Sequence, residues 1–229
     1  LGFAKANNQG IKEAKGRYVL LLNQDTQLVE NSLKKMVGWM DKHQKVGIVS
    51  CKLVNADKGI QATGGSFPAL GRIFLWASFL DDLPFVGSIF GSYHPHAGRY
   101  FDSEHEQDWV TGAFMLIRCE LINKSEYLDE DFFMYGEDVE YCLRAKKDGW
   151  QVWYTPTTQI IHFGSKMTER SIVGEFTALP KIYKKHFARW QYPFLLFFLK
   201  VGAVLRIIFF GLRGKREEVK AYAKAFAVN

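Results

Sequence analysis

The sequence predicts an α/β fold built on a mostly parallel sheet, and three features carry that prediction. "RYVLLLNQD" and "VGIVSCKLV" are apolar, β-rich runs of the kind that form buried strands. Before and between them lie "NNQGIKEAKG" and "SLKKMVGWMDKH", two segments with helical spacing, so helix and strand alternate. The chain of 229 residues is 48% hydrophobic and 15% aromatic, ample for a core with helices flanking a sheet.

The first helix is expected to end at Gly16 and to feed the strand that follows. In the second helix Leu33, Met36, Val37 and Met40 fall on one stripe. Residues 55 to 108 are rich in Gly, Pro and aromatics and lack a sustained period. Their bulky apolar content speaks for a functional loop system rather than disorder. "DWVTGAFMLIR" resumes as a strand. The next helix opens at Glu137 and carries Arg144, Lys146 and Lys147 in its last turn, with Gly149 just beyond. "QVWYTP" and "TQIIHF" read as two short strands, and a helical pattern returns from Thr168 to His186, with Pro180 as a kink or break.

The segment "YPFLLFFLKVGAVLRIIFFGLR" is almost wholly apolar, with Lys200 and Arg206 as its internal charges. A membrane span needs about 20 such residues, but each central charge costs about 2.5–3.5 kcal/mol on insertion. Lying in the interface with Lys200 and Arg206 toward lipid phosphates is the competing placement, and a buried core helix or oligomer contact is a third. "LRGKREEVK" adds positive charge at the lipid border. Membrane contact is the expected outcome.

A net charge of +6 and a pI near 9.1 suit an acidic partner, an anionic lipid or a phosphorylated small molecule. No Lys/Arg run is interleaved with aromatics, so nucleic acid is not an expected partner. Cys51, Cys119 and Cys142 form neither a CxxC site nor a disulfide set, which points to a reducing cytosol. The opening "LGFAKANNQG" has no apolar signal region and no initiator Met, and reads as starting partway into a longer protein.

Two clusters of polar residues are candidates for chemistry. The first apolar strand ends in Asn23-Gln24-Asp25, where open α/β sheets place their ligand crevice. A carboxylate there suits a divalent metal that in turn binds a diphosphate; the plain alternative is turn capping by Asp25 and Thr26. His162, at the end of "TQIIH", is either a second ligand or a structural histidine. In "MYGEDVEYCLRAKKDGW" two acids, Glu137 and Asp138, follow a glycine and open a helix. Capping explains one acid, but Glu140 makes a third nearby.

Taken together, "GFAKANNQGI…AKGRYVLLLNQDT", "DWVTGAFMLIR" and "LDEDFFMYGEDVEYCLRAKKDGWQVWYTPTTQIIHFGS" resemble the family 2 glycosyltransferases of bacterial polysaccharide assembly, in the rhamnosyltransferase-like branch. The resemblance covers residues 1 to about 190 in order and spacing. It implies a partial GT-A domain over 1–190, with 55–108 as acceptor-side loops and 191–229 as a membrane-associating helical tail. The strand and helix that hold the nucleotide base and ribose in the family precede "GFAKANN" and are not in this sequence, so the domain is expected to be N-terminally truncated. The implied activity is inverting transfer of a sugar, with rhamnose the best match, from a nucleotide-diphosphate donor to a polyprenyl-linked or cell-surface polysaccharide acceptor. Mg²⁺ or Mn²⁺ is the implied cofactor, and the cytoplasmic face of the bacterial inner membrane the implied location.

Residue by residue, the resemblance places the family's D-x-D metal motif on Asn23-Gln24-Asp25, with Asn in place of the first Asp. Asp25 is left as the main carboxylate ligand and His162 completes the metal site. Donor binding falls on Asn7, Asn8, Asn23 and Asp25. Asp138 matches the general base, held ionised by the helix N-terminus, and Glu137 orients the acceptor or the loop. The acceptor side takes Trp109 as a stacking face or a core aromatic, Thr111, Gly112 for close approach of a sugar, and Tyr135. Two other classes stay open. A sugar-nucleotide nucleotidyltransferase is expected to show a glycine-rich phosphate loop near its start, which is not visible here. A non-catalytic glycan-binding homologue is free to lose Asp138, Asp25 and His162, all of which are present.

Overall fold

The computed structural model describes residues 1–229 except 30, 84, 96, 97, 165–167 and 229, and except the side chains of Ser88 and Arg99. Residues 84, 96 and 97 of the expected loop system therefore lie outside the described residues. In chain order the elements are α1 (Phe3–Glu13), β1 (Tyr18–Leu22), β2 (Thr26–Leu28), α2 (Ser32–Lys42), β3 (Val46–Val54), β4 (Ile60–Gln61) and β5 (Gly64–Gly65). There follow α3 (Leu70–Ala77), α4 (Val86–Phe90), β6 (His105–Glu106), β7 (Trp109–Val110), β8 (Phe114–Arg118), α5 (Cys119–Ser125) and α6 (Glu137–Lys147). The chain closes with β9 (Gln151–His162), α7 (Glu169–His186), α8 (Gln191–Leu212) and α9 (Arg216–Ala227). These elements pack as two compact units. One comprises Leu1–Phe67, His94–Phe133 and Glu137–Ser165, and the other Pro68–Tyr93, Met134–Gly136 and Lys166–Asn229.

The first unit is the expected α/β body. Its sheet has the order β1-β8-β3-β9-β2, with β4 on β3 and β6 on β9. The sheet is mixed rather than mostly parallel: β3 and β9 run parallel, whereas β1–β8, β3–β8 and β2–β9 are antiparallel. Alternation of helix and strand reports the shared direction of β1 and β3, but not the later strand β8 that slots between them. "DWVTGAFMLIR" is not one strand; the ladder breaks at Thr111–Ala113, between β7 and β8. "QVWYTPTTQIIH" is one strand rather than two. Its pairing with β3 jumps from Cys51↔Thr155 to Lys52↔Gln159, a bulge at Pro156, which has no N–H to give a ladder. The core gathers Met36, Trp39 and Met40 of α2 against Val49, Leu53, Phe114 and Leu116. Leu33, expected on that stripe, is 43% exposed, and Trp39 takes the inward place.

In the second unit α7 runs on through Pro180, forgoing one bond to the Phe176 carbonyl, and opens on a capping box between Thr168 and Ser171. Helix α8 packs along α3, α7 and α9. Gly202 has no Cβ where Ala77 Cβ of α3 would stand 2.9 Å away, so the two helices cross in close contact. Arg206 does not face outward. It is 6% exposed and donates to the Trp76 carbonyl at 2.8 Å and the Ala77 carbonyl at 3.0 Å. These carbonyls lie at the C-terminus of α3, the negative end of its dipole. The expectation that Arg206 meets lipid phosphates is thereby corrected. The tail read from 191 onward packs within a larger unit that begins before it and includes 68–93. By length and composition α8, with 22 residues and a mean hydropathy of 2.2, is sufficient to cross a membrane.

Candidate active site

The break at Thr111–Ala113 organises the site. Asn23, just past β1, donates its backbone N–H to the Ala113 carbonyl at 3.1 Å. The neighbouring Gly112 N–H donates to Asp138 Oδ2 at 3.1 Å, and the Val139 N–H donates to Asp138 Oδ1 at 2.9 Å. One short stretch of backbone therefore ties the end of β1 to the acid pair at the start of α6. Tyr135 (φ 72°) and Gly136 (φ 85°) both adopt left-handed backbone just before it. For a bulky residue such as Tyr135 that conformation is a real outlier of the kind found at working sites.

The three acids of α6 divide their tasks. Glu140 accepts from Arg144 at 2.7 Å, and Arg144 in turn donates to the carbonyls of Ser125 and Tyr127, so this pair clamps the preceding loop. Glu137 is buried and its Oε2 has no hydrogen-bond partner. Burial, and next the charge of Asp138, push the Glu137 carboxyl up to about 8. Burial also raises Asp138, against the opposing pull of the Gly112 and Val139 N–H groups, so the helix N-terminus does not hold it low as expected. Asp138 has two backbone N–H donors for a negative charge whereas Glu137 Oε2 has none, which favours charge on Asp138 over charge on Glu137.

This makes a stability prediction. A carboxyl raised to about 8 in the folded protein, against about 4.3 in the unfolded chain, binds an extra proton when folded across that window. Stability contributed there falls as pH rises and is lost above about 8. Glu137→Gln is expected to melt at a higher temperature than the parent at pH 8.5, roughly half a unit above that value, with the difference vanishing below about pH 4. Calorimetric melts across pH check this.

At the other end of the same backbone stretch lies the second cluster. The antiparallel register Thr26↔His162 brings Asp25 beside His162, whose Nε2 is 3.3 Å from Asp25 Oδ1 and 3.4 Å from Asn23 Nδ2. Gln61 fixes the ring. Its Nε2 donates to the His162 carbonyl and to Asn55 Oδ1, each at 2.7 Å, which turns its Oε1 toward His162 Nδ1 at 2.8 Å. Nδ1 then donates to Gln61 Oε1, which turns Nε2 toward Asp25 Oδ1 and Asn23; with no hydrogen on Nε2, the His162 and Asp25 side chains can share a cation. Gly164 completes the cradle, since a Cβ there would stand 2.1 Å from Asp25 Oδ2. Among the described residues no group of three or more His, Cys, Asp or Glu gathers, so an ion held here would draw further ligands from Asn23, water or a bound phosphate. Asp25, His162 and Asn23 fit that role. The sequence reading missed Gln61 and Asn55, although "NADKG" between two apolar runs is a hairpin signal that would have placed them.

Several expected site residues have other duties. Asn8 is buried and exchanges bonds with the Leu128 backbone, accepting from its N–H and donating to its carbonyl, while also donating to Glu130. Its amide is consumed in holding the "LDEDF" loop. Asn7 donates to the Phe3 carbonyl within α1. Trp109 is 8% exposed, meets His94 edge-on and donates to the Ser66 carbonyl, so it is a core aromatic here. The close approach at Gly112 is made by the Phe3 ring, 2.9 Å from where a Cβ would stand, rather than left open for a sugar. Thr111 pairs with the Thr63 carbonyl through its backbone N–H. Tyr135 packs in the other unit, on Gly174.

A sequence profile described as "Glycosyltransferase like family 2" matches residues 1–193. The chain belongs to this family. One similar protein is the low-salt glycan biosynthesis hexosyltransferase Agl10 of Haloferax volcanii, 24% identical over 91% of this chain and 66% of the relative. Another is the N-acetylglucosaminyl-diphospho-decaprenol L-rhamnosyltransferase of Mycobacterium tuberculosis, 22% identical over 77% of this chain and 58% of the relative. The chain thus spans roughly three-fifths to two-thirds of the length of these relatives. The crystal structure of GalNAc-T7 with UDP, GalNAc and Mn²⁺ shares the fold, with a TM-score of 0.57 at 12% identity over 87% of this chain and 37% of that one. The GT-A architecture expected for a family 2 member is therefore the one observed.

Proposed function

We propose that the protein transfers a sugar, with rhamnose the best match, from a nucleotide-diphosphate donor to a polyprenyl-linked or cell-surface glycan acceptor, with inversion and with a divalent metal. The observation that carries this reading is the pairing of two clusters through one backbone stretch: Asp25 and His162 Nε2 at Asn23, and Asp138 at Gly112. The names of the two relatives support hexosyl and rhamnosyl transfer, and the decaprenol in one of them supports a lipid-linked acceptor.

In this reading Asp138 accepts the proton of the acceptor hydroxyl as that oxygen attacks the anomeric carbon, and the bond from that carbon to the diphosphate oxygen breaks. Its raised affinity for a proton makes it a stronger base than a free carboxylate. Glu137, holding its own proton, keeps the charge of the pair on Asp138 and offers Oε2 to the acceptor. Asp25, His162 and Asn23 would hold Mg²⁺ or Mn²⁺, which when bound would neutralise charge on the departing nucleoside diphosphate. The exposed apolar residues of α8 support placement at the cytoplasmic face of the inner membrane, where nucleotide sugars meet lipid-linked acceptors.

The test is a donor screen on the protein expressed from its complete coding region, with dTDP-rhamnose and several UDP-sugars and with membrane extract as acceptor. The expected result is rhamnose incorporation into an organic-extractable lipid. Transfer from a UDP-sugar instead reassigns the donor, and no transfer from any of them overturns the activity.

A further inference from the structure

We infer that the unit containing α8 docks in the plane of an anionic bilayer, through the outer stripe of α8 together with the α3–α4 segment, and that α8 does not cross the membrane. This rests on the membrane placement proposed above and adds its geometry and its second contact element.

Helix α8 has two apolar faces. Leu195, Leu199, Gly202 and Arg206 point inward, while Phe194, Phe197, Val201, Val204, Ile208 and Leu212 form an exposed stripe at helical spacing. A spanning helix carries whatever packs on it into the bilayer, and the inner face of α8 is covered by α3, α7 and α9. Helix α9 runs back along it, with Phe210 stacked on Tyr222 at 5.7 Å and Lys200 over Phe226 at 5.5 Å. Crossing would draw α9, with Glu217, Glu218, Lys220 and Lys224, into hydrocarbon. It would also draw in the end of α3, which Arg206 holds by two carbonyls.

The occupant of the outer stripe is identified by what flanks it. At one end stand Arg189, Trp190 (64% exposed) and Tyr192, with Lys184 over the Tyr192 ring at 5.0 Å. At the other stand exposed Arg213, Lys215 and Arg216. Aromatic and cationic residues bracketing an apolar stripe match the headgroup layer of an anionic bilayer. A second copy of this chain, equally cationic, does not complement those ends.

The α3–α4 segment belongs to the same surface-forming unit. Ring contacts Phe74–Phe198 at 5.3 Å and Phe79–Phe209 at 5.2 Å lay α3 and the turn after it beside α8. Beyond α3, Leu83, Ile89 and Phe90 are 51%, 72% and 60% exposed. Apolar side chains this open are ones that a monomeric soluble protein seldom gathers without a partner, and they follow directly on the helix that packs on α8.

The experiment uses vesicle co-sedimentation of the protein with phosphatidylcholine alone and with phosphatidylglycerol added, a carbonate wash of native membranes, and light scattering without lipid. Expected are binding that needs phosphatidylglycerol, release by carbonate, and a monomer in solution. Ile89→Glu with Phe90→Glu, and separately Phe197→Glu with Ile208→Glu, are each expected to weaken partitioning by about tenfold or more, with melting temperatures unchanged because all four side chains are exposed. Full binding by the Ile89/Phe90 variant removes the α3–α4 segment from the interface. Retention after carbonate means a span and overturns in-plane docking while leaving membrane placement intact. Absence of binding to either vesicle, or a stable dimer in which Phe197→Glu with Ile208→Glu restores the monomer, overturns membrane placement itself.

Discussion

Asp138→Asn is expected to lower turnover by about 10² or more while leaving the fold and donor binding in place. Asn keeps the side-chain oxygen that accepts from the Gly112 N–H, so the link between α6 and the break after β7 survives. What it loses is the capacity to take a proton. The acid limb of the parent pH–rate profile should lie above the ordinary carboxylate range, because burial raises Asp138, and the residual activity of Asp138→Asn should lack that limb. Glu137→Gln, which imitates the protonated partner, should keep most of the turnover. Steady-state kinetics on these two variants separate base from neighbour: equal losses in both would mean the pair acts as one structural cap.

The second large effect is expected at the sheet end. Asp25→Ala and His162→Ala each remove one of two groups that face each other at 3.3 Å, and each should cut metal-stimulated activity by about a hundredfold or more. Gln61→Ala touches no ion in this arrangement, yet it frees the His162 ring to take the other tautomer. It should weaken apparent metal affinity by about 10–100-fold, the range seen when an outer partner of a ligand is removed, with activity recovered at saturating metal. Titration of Mn²⁺ against activity and against binding of a nucleoside diphosphate reads all three. Activity unaffected by EDTA would remove the metal from the mechanism.

Periodicity made α1, β1, α2, β3 and α6 legible, because each buries a stripe or a run that the core must cover. Strand order was not legible. Nothing local in "FMLIR" says that β8 inserts antiparallel between β1 and β3, since that choice is made by long-range pairing. The candidate acids could be read because a carboxylate at a strand end or helix start is a local feature. Their surroundings could not be read. Asn8 looked like a donor ligand until its amide was found spent on Leu128, and Trp109 looked equally able to stack on a sugar or fill the core. Gln61 lay in a stretch with no period, and its importance comes from a residue 101 positions away. Arg206 shows the same limit: a charge in an apolar run suggests lipid phosphate, whereas the carbonyls it satisfies belong to a helix distant in sequence.

In the proposed reaction Asp138 deprotonates the acceptor opposite a metal-held diphosphate, in a single displacement. The most direct measurement is the anomeric configuration of the newly formed glycosidic bond, read by proton NMR of the isolated product and compared with the donor. Inversion is expected, with product formation slowed by about 10² or more in Asp138→Asn. Retention of configuration would contradict it, because retention calls for a double displacement or front-face route in which a base at Asp138 has no such part.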